Sequence, residues 1–242
     1  MRRLPINMDC GENFGRYQIF DETPIIEIAD LANVACGFHG GDYRSILSTL
    51  ESMKKNNIKV GAHPSFPDLQ GFGRRYMEME FDDLVLCIFY QIASLKGLCD
   101  ALNISLHHVK AHGALYNVAC KKEKEASALV EAVKKMKMDL TILTQPGSVL
   151  ESICTKENLP VLRESFADRA YNEDLSLVSR NEPGAVLTDA EAVKLQFENL
   201  CDGKVTDKAG NLQDLVSDTI CIHGDHPALS DIAVVLKKYN PA

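Results

Sequence analysis

Seven short apolar runs of strand length recur along the 242 residues, and stretches with helical periodicity separate most of them. We predict strands at 4–8, 31–35, 58–62, 106–111, 140–143, 160–163 and 219–222. We predict helices at 43–57, 82–102, 123–137, 146–156, 188–201 and 227–239. In the first helix, Ile46, Leu47, Leu50 and Met53 are spaced so that they share one helical face. The alternation predicts an α/β fold.

Repeated strand–helix units are typical of a mainly parallel sheet. Seven such units in 242 residues suit a closed or nearly closed (β/α) barrel, and a doubly wound open sheet is the alternative. The segment 165–187 has no helical stripe, so we interpret it as a long loop that carries function or as a small hairpin. Because no repeat, low-complexity tract or linker divides the chain, we expect a single domain over residues 1–242.

Charge and cysteine content narrow the class of protein. The net charge is −8, from 26 Lys+Arg and 34 Asp+Glu, and no basic run is present, so we expect neither a nucleic acid nor a membrane partner. None of the eight cysteines falls in a CxxC pair, which argues against a zinc ribbon or a thioredoxin site and favours free thiols in a reducing compartment. No apolar segment follows Met1-Arg2-Arg3 and no apolar run approaches 18 residues, so we expect a cytoplasmic protein without a secretion signal or a membrane span.

Ionisable residues lie at or just after six of the seven predicted strand ends. Along the chain they are Asp9, Glu12, His39, Asp42, His63, Lys110, His112, Glu164, Asp168, Arg169, His223 and Asp225. In parallel α/β folds the carboxyl ends of the strands converge on one face, and ligands bind there. With His108, five of the seven histidines fall on or after such ends, so we predict an active site on this face.

The fourth predicted strand carries the sharpest pattern. Because side chains alternate along a strand, His108, Lys110 and His112 point to the same side. Burying them is costly unless they have partners or a chemical task. Lys110 could hold an anionic group or stabilise a developing oxyanion. The alternative is a buried ion pair between Lys110 and either Asp9 or Glu12.

A metal site is another interpretation of the histidines. His39, His63 and His112 could ligate a metal together with Asp9, since imidazole and carboxylate ligands suit zinc. No HxxxH or HExxH helical motif supports this interpretation.

The loop 64–75 is rich in glycine and proline and ends in Arg74 and Arg75. Arginine suits the recognition of carboxylate or phosphate through its rigid fork, and the alternative is a surface turn with solvated arginines. The chain has no Walker A sequence, no dinucleotide fingerprint and no GxSxG elbow. We therefore expect no ATP or NAD site of its own.

Seven long strings match one family in order over almost the whole chain. They are NMDCGENFG at 7–15, ANVACGFHGGD at 32–42, VGAHPSFPDLQGFGRR at 60–75, HVKAHGALYN at 108–117, ESFADRAY at 164–171, EPGAVL at 182–187 and TICIHGDHP at 219–227. On these strings the chain resembles the LamB/YcsF family, typified by the A subunit of bacterial 5-oxoprolinase. It departs from the family where Pro5 replaces an acidic residue and Ala111 replaces a proline.

The resemblance implies a seven-stranded barrel of the glycoside hydrolase/deacetylase type, which agrees with the strand count. It also implies ATP-dependent opening of the lactam 5-oxo-L-proline to L-glutamate, with partner subunits B and C that phosphorylate the lactam. The ATP would then be bound by those subunits, which fits the lack of a nucleotide motif here. A divalent metal is a further candidate cofactor.

From the strand ends and this resemblance we predict two groups of site residues. The predicted catalytic residues are Asp9, Glu12, His39, His63, Lys110, His112, Glu164 and Asp168. The predicted substrate-binding residues are Asn7, Asn33, Arg75, Asn117, Arg169, His223 and Asp225.

In the hypothesis that follows, Asp9, Glu12 or His112 activates a water molecule, and Glu164 or Asp168 protonates the ring nitrogen. Arg75, Arg169 or Lys110 neutralises the substrate anions, and Lys110 with a histidine stabilises the oxyanion. Two alternatives remain, a metal-dependent deacetylase-like hydrolase and a non-catalytic protein that binds lactam or acts as a scaffold for the other subunits.

Overall fold

Seven parallel strands close into a barrel in the computed structural model, which describes residues 3–239. In chain order the strands are β1 (Ile6–Cys10), β2 (Leu31–Ala35), β3 (Lys59–His63), β4 (Leu106–Val109), β5 (Thr141–Thr144), β6 (Val161–Phe166), β7 (Lys204–Thr206), β8 (Leu212–Asp214) and β9 (Thr219–Ile222). The barrel runs from β1 to β6 and is closed by β9, which pairs with both β6 and β1. The predicted closed barrel is confirmed, and the open sheet is wrong.

Eight α-helices occur among residues 3–239. They are α1 (Thr23–Ile28), α2 (Tyr43–Lys55), α3 (Phe81–Ala101), α4 (Gly113–Ala119), α5 (Glu123–Lys135), α6 (Val149–Lys156), α7 (Ala190–Cys201) and α8 (Leu229–Leu236), and a 3₁₀ helix (Lys237–Tyr239) follows the last one. All six predicted helices are confirmed, with small shifts at their ends. The sequence did not predict α1 and α4, because helices of 6 and 7 residues are too short to show a stripe.

The helices pack their apolar stripes on the barrel. Ile46, Leu50 and Met53 of α2 are buried, and Asp42 caps this helix by accepting a hydrogen bond from the backbone N–H of Ser45. The 21-residue α3 is long and apolar enough to cross a membrane by length and composition alone. Its buried residues lie in the hydrophobic core of the barrel, which is the usual reason for such a helix in a globular protein.

The segment 165–187 begins as the end of β6 and then continues as irregular chain. Isolated bridges join Arg169 to Val186 and Tyr171 to Leu177, so the prediction of a long loop or small hairpin describes it well. Gln196 of α7 anchors the start of the segment by donating to backbone carbonyls, among them that of Arg169 at 2.7 Å. The β7–β8 hairpin was not predicted, because its strands have three residues each and little apolar signal.

All eight cysteines are free thiols, as predicted. The expectation of one domain over residues 1–242 stays a prediction. Its first two and last three residues, with the start of the segment searched for a secretion signal, lie outside the described residues.

Candidate active site

A cavity of about 560 Å³ opens beside the carboxyl ends of the barrel strands, where the sequence predicted an active site. Seven of the fifteen predicted site residues line it. They are Asp9, His63, Lys110, His112, Asn117, Arg169 and His223. The other eight do not line this cavity, although most of them contact residues that do. They are Asn7, Glu12, Asn33, His39, Arg75, Glu164, Asp168 and Asp225.

Lys110 lies at the centre of a buried polar cluster, just after β4. Its Nζ is 3.0 Å from Asp9 Oδ1 and 2.9 Å from Glu164 Oε1. Burial alone would lower the pKa of Lys110, but the attraction of Asp9 and the other groups around it raises this pKa well above its ordinary value. The predicted alternative of a buried ion pair is therefore confirmed for Asp9, and Glu164 is a second partner.

The charge on Lys110 in turn fixes Asp9. Burial would raise the pKa of Asp9, but His63 and Lys110 more than offset this effect and hold the pKa well below its ordinary value. Lys110 Nζ also has Asn7 Oδ1 at 3.3 Å and Cys221 Sγ at 3.1 Å. An ammonium has three N–H bonds, so these four neighbours already use its donor capacity.

Two asparagines and a histidine support Asp9 from below. Asn33 donates from Nδ2 to Asp9 Oδ1 at 2.8 Å and to Asn7 Oδ1 at 2.8 Å. His108 Nε2 is 2.8 Å from Asn33 Oδ1, an amide oxygen that can only accept. Burial lowers the pKa of His108 well below its ordinary value, so the ring is neutral. Asn7 and Asn33 thus position the carboxylate and do not line the cavity.

The ring of His108 fits because β3 carries Gly61 opposite it. A Cβ on Gly61 would lie 2.2 Å from the imidazole, far inside contact distance. The glycine therefore makes room for the buried hydrogen-bond chain that ends at Asp9.

His63 and His112 form a pair whose tautomers are set by backbone carbonyls. His63 Nδ1 is 2.7 Å from the carbonyl oxygen of Lys110, and His112 Nε2 is 2.8 Å from that of Phe72. Because a carbonyl oxygen only accepts, these two nitrogens carry the protons. The remaining nitrogens, His63 Nε2 and His112 Nδ1, lie 3.0 Å apart and face each other with lone pairs.

Carboxylates and a third imidazole surround this pair. Asp9 Oδ2 is 3.4 Å from His63 Nε2, and Glu12 Oε1 is 3.5 Å from His112 Nδ1. His39 stacks on His112 with ring centroids 3.7 Å apart and places Nε2 3.1 Å from Glu12 Oε1. Burial, reinforced by the neighbouring histidines, lowers the pKa values of His39 and His112, so these rings are neutral. Burial and then Asp9 raise the pKa of Glu12 well above its ordinary value.

This arrangement fits a divalent metal ion. One ligand atom from each of Glu12, His39, His63 and His112 lies within 4.8 Å of the others. Lone pairs that face each other across 3.0 Å are stabilised by a cation between them, and metal-binding histidines commonly donate their other N–H to a backbone carbonyl. The sequence-based metal set contained Asp9 in place of Glu12, whereas here Asp9 lies beside the cluster.

His223 and Asp168 form a second pair at the cavity. His223 Nδ1 is 2.8 Å from Asp168 Oδ2, and the backbone N–H of His223 donates to the same oxygen at 3.0 Å. Burial opposes the charge of Asp168, but His223 holds its pKa well below the ordinary value. Asp168 is therefore an ionised acceptor that orients His223, and His223 is the member of the pair that lines the cavity.

The two consecutive arginines lie in different places. Arg75 is exposed and pairs with Asp68 inside its own loop, away from the cavity. Arg74 lines the cavity, stacks over the Phe72 ring at 5.0 Å and pairs with Asp225. The prediction chose the wrong neighbour for the cavity wall, because sequence alone does not show which side chain of a tight loop turns inward.

Other residues that line the cavity were not predicted. They include Tyr116, Lys121, Asn172, Arg180 and Glu182. They belong to the unpredicted helix α4, the turn after it and the irregular segment after β6, where no periodicity shows which residues face a ligand.

Comparison with known proteins identifies relatives of the whole chain. The LamB/YcsF family matches residues 4–239. A protein of Pseudomonas syringae pv. tomato, named as a 5-oxoprolinase A subunit with the number 3, is 42% identical over 239 residues, which cover 98% of this chain and 93% of that one. A protein of Pyrococcus horikoshii, also named as a 5-oxoprolinase A subunit, is 40% identical over 237 residues, with the same coverage of 98% and 93%.

Solved structures agree with the sequence matches. A lactam utilization protein from Thermus thermophilus superposes with a TM-score of 0.91 at 36% identity and covers 98% of this chain and 95% of that one. A putative cellobiose-phosphate cleavage protein from Enterococcus faecalis has a TM-score of 0.55 at 12% identity, over 98% of this chain and 90% of that one. The second likeness concerns the fold alone.

Proposed function

The chain belongs to the LamB/YcsF family, and from this membership and the geometry of the cavity we propose that it is the A subunit of an ATP-dependent 5-oxoprolinase. It acts in the cytoplasm with subunits B and C, which bind ATP and phosphorylate the lactam oxygen of 5-oxo-L-proline. This chain then opens the phosphorylated ring, and the final product is L-glutamate. The observation that supports catalysis is the buried group of Asp9, Lys110 and Glu164 beside the His63–His112 pair, in one cavity at the strand ends.

The His63–His112 pair is the proposed general base. A neutral imidazole whose N–H is held by a carbonyl presents its lone pair in a fixed direction, as proton abstraction from water requires. Asp9, 3.4 Å from His63, stabilises the positive charge that the pair then carries. Glu12 and His39 hold His112 from the side away from the cavity, so we assign them positioning roles.

The activated water adds to the ring carbon that bears the phosphorylated oxygen. The carbon–nitrogen bond then breaks, and the ring nitrogen takes a proton and leaves as the amine of glutamate. The other fragment end is an acyl phosphate, whose hydrolysis gives the carboxylate and inorganic phosphate. His223, held by Asp168, lines the cavity and is the proposed acid for the nitrogen.

Lys110 acts mainly through Asp9 and Glu164, because its donors are already engaged. Its charge keeps Asp9 ionised beside His63. The ion pair thus tunes the proposed base and does not itself bind the substrate carboxylate.

A divalent metal held by Glu12, His39, His63 and His112 would supply Lewis-acid chemistry at the same position. This cluster is also the observation that favours a second candidate function, a metal-dependent deacetylase-like hydrolase. Metal analysis of the purified chain, together with hydrolysis of acetylated substrates in the absence of subunits B and C, would support that alternative.

The test of the main proposal is 5-oxoproline-dependent ATP hydrolysis and glutamate formation by this chain with subunits B and C. We expect glutamate only when all three are present. Asp9→Asn and Lys110→Met should each abolish glutamate formation while the chain stays folded and assembled. Near-normal glutamate formation by both variants would remove the proposed roles, and a non-catalytic lactam-binding protein would then be the better account.

A further inference from the structure

The cavity at the strand ends carries an excess of positive charge, although the chain as a whole has a net charge of −8. Among the residues that line it, five are lysine or arginine and two are carboxylates. They are Arg74, Lys110, Lys121, Arg169 and Arg180 against Asp9 and Glu182. A cavity that reverses the sign of the whole molecule attracts anions.

Two of the five cations already have carboxylate partners. Lys110 pairs with Asp9 and Glu164, and Arg74 pairs with Asp225. Among residues 3–239, no ion pair within 4.0 Å joins a carboxylate to the other three, Lys121, Arg169 or Arg180. The uncompensated charge therefore lies on one wall, formed by the turn after α4 and the segment after β6.

Arg169 is the buried member of this wall. Its Nε donates to the carbonyl oxygen of Ala185 at 3.1 Å and its Nη2 donates to that of Val178 at 2.6 Å. Both acceptors are neutral, so they fix the guanidinium without cancelling its charge. Burial and the nearby Arg180 lower the pKa of Arg169 to about 10, which reflects the cost of placing two cations together.

Such a juxtaposition is stabilised when an anion binds between the cations. Lys121, Arg169 and Arg180 supply three positive charges, and Glu182 is the one carboxylate on the same wall. The balance of about two charges suits a dianionic phosphoryl group better than a single carboxylate. Arginine forks also match phosphate oxygens in a bidentate manner.

We propose that Lys121, Arg169 and Arg180 form an anion subsite that takes the phosphoryl group of the phosphorylated lactam. The subsite rests on the proposed function for the identity of this substrate. It places the phosphoryl group on the side of the cavity that the 165–187 segment covers. The lactam ring then lies between this wall and the His63–His112 pair.

The test measures binding of inorganic phosphate to the purified chain by calorimetry at neutral pH, with acetate as a monoanionic probe. We expect phosphate to bind more tightly than acetate. Arg180→Gln and Lys121→Gln remove exposed side chains and should leave the fold intact, which circular dichroism checks. Each lost charge-assisted contact should weaken phosphate binding about tenfold.

Arg44→Gln is the matched control, because Arg44 is an exposed arginine of α2 that does not line the cavity. It makes the same change in net charge and should leave phosphate binding unchanged. Equal phosphate affinity in wild type and Arg180→Gln, equal weakening by Arg44→Gln, or no preference for phosphate over acetate would each overturn the subsite.

A second measurement separates this inference from the proposed function. Phosphate binding needs neither subunits B and C nor lactam turnover. Loss of binding in Arg180→Gln would support the subsite even if the reaction with all three subunits yielded no glutamate. Conversely, glutamate formation with an unchanged KM and kcat in Arg180→Gln would support the function and overturn the subsite.

Discussion

His63 Nε2 and His112 Nδ1 face each other at 3.0 Å, and each ring donates its one N–H to a backbone carbonyl. Two lone pairs at this distance repel unless a proton or a metal ion lies between them. The same geometry therefore serves two chemistries, a shared-proton base and a metal site. Which of the two the protein uses is decided by metal binding.

We expect the purified chain to bind zinc stoichiometrically, because three imidazoles and Glu12 present ligand atoms within 4.8 Å of one another. Saturating zinc should raise the melting temperature by roughly 5 °C or more, since a ligand in hundredfold excess over its Kd stabilises a fold of this size to that extent. His63→Ala and His112→Ala should abolish both effects, measured by elemental analysis and thermal unfolding. His107→Gln, outside the cluster, is the control. Retention of zinc by both cluster variants would contradict the assignment.

Replacing Lys110 by methionine should destabilise the protein strongly. It leaves Asp9 and Glu164 buried without their shared cation, and breaking a buried pair from one side costs about 3–5 kcal/mol in the free energy of unfolding. Denaturant unfolding measures this loss. The triple variant with Asp9→Asn and Glu164→Gln removes the orphaned charges and should recover part of it. A loss below about 1 kcal/mol in the single variant would mean that the triad is not coupled as the distances indicate.

The sequence predicted the barrel well because its evidence is local: apolar runs, stripes and strand ends survive in any arrangement of the chain. It also placed Asp9, His63, Lys110 and His112 on one face, since strand ends converge in every parallel barrel. It did not distinguish Arg74 from Arg75 or find Arg180, because their side-chain directions depend on loop conformations. Nor did it show that Asn7 and Asn33 hold Asp9 from below, which depends on the register between β1 and β2.

The loop 64–75 should lose stability in acid through Asp68. Hydrogen bonds from Arg75 lower the pKa of Asp68 to about 2, below the value of about 3.9 in an unfolded chain. A folded pKa below the unfolded one gives stability that is present above about pH 4 and is lost as pH falls towards 2. Asp68→Asn should therefore be less stable than wild type at pH 7, and the difference should shrink between pH 4 and pH 2.

Unfolding of wild type and Asp68→Asn at a series of pH values measures this dependence. Asp139→Asn, an exposed carboxylate before β5, is the control and should unfold like wild type at each pH. A stability difference between wild type and Asp68→Asn that stays constant down to pH 2 would show that the ionised form of Asp68 does not stabilise the loop.

Gly61→Ala should disrupt the support of Asp9 through a steric effect alone. The added methyl group would lie 2.2 Å from the His108 ring, which hydrogen bonds to Asn33 and through it to Asp9. Overpacking of this kind costs about 1–3 kcal/mol, so we expect lower stability and, in the reaction with subunits B and C, a lower kcat. Gly97→Ala in α3 is the matched control, since nothing lies within 4 Å of its added Cβ. This helical change should raise stability by up to about 1 kcal/mol and leave kcat unchanged. Equal stabilities for the two variants would show that His108 moves aside freely, and the glycine would then have no part in positioning Asp9.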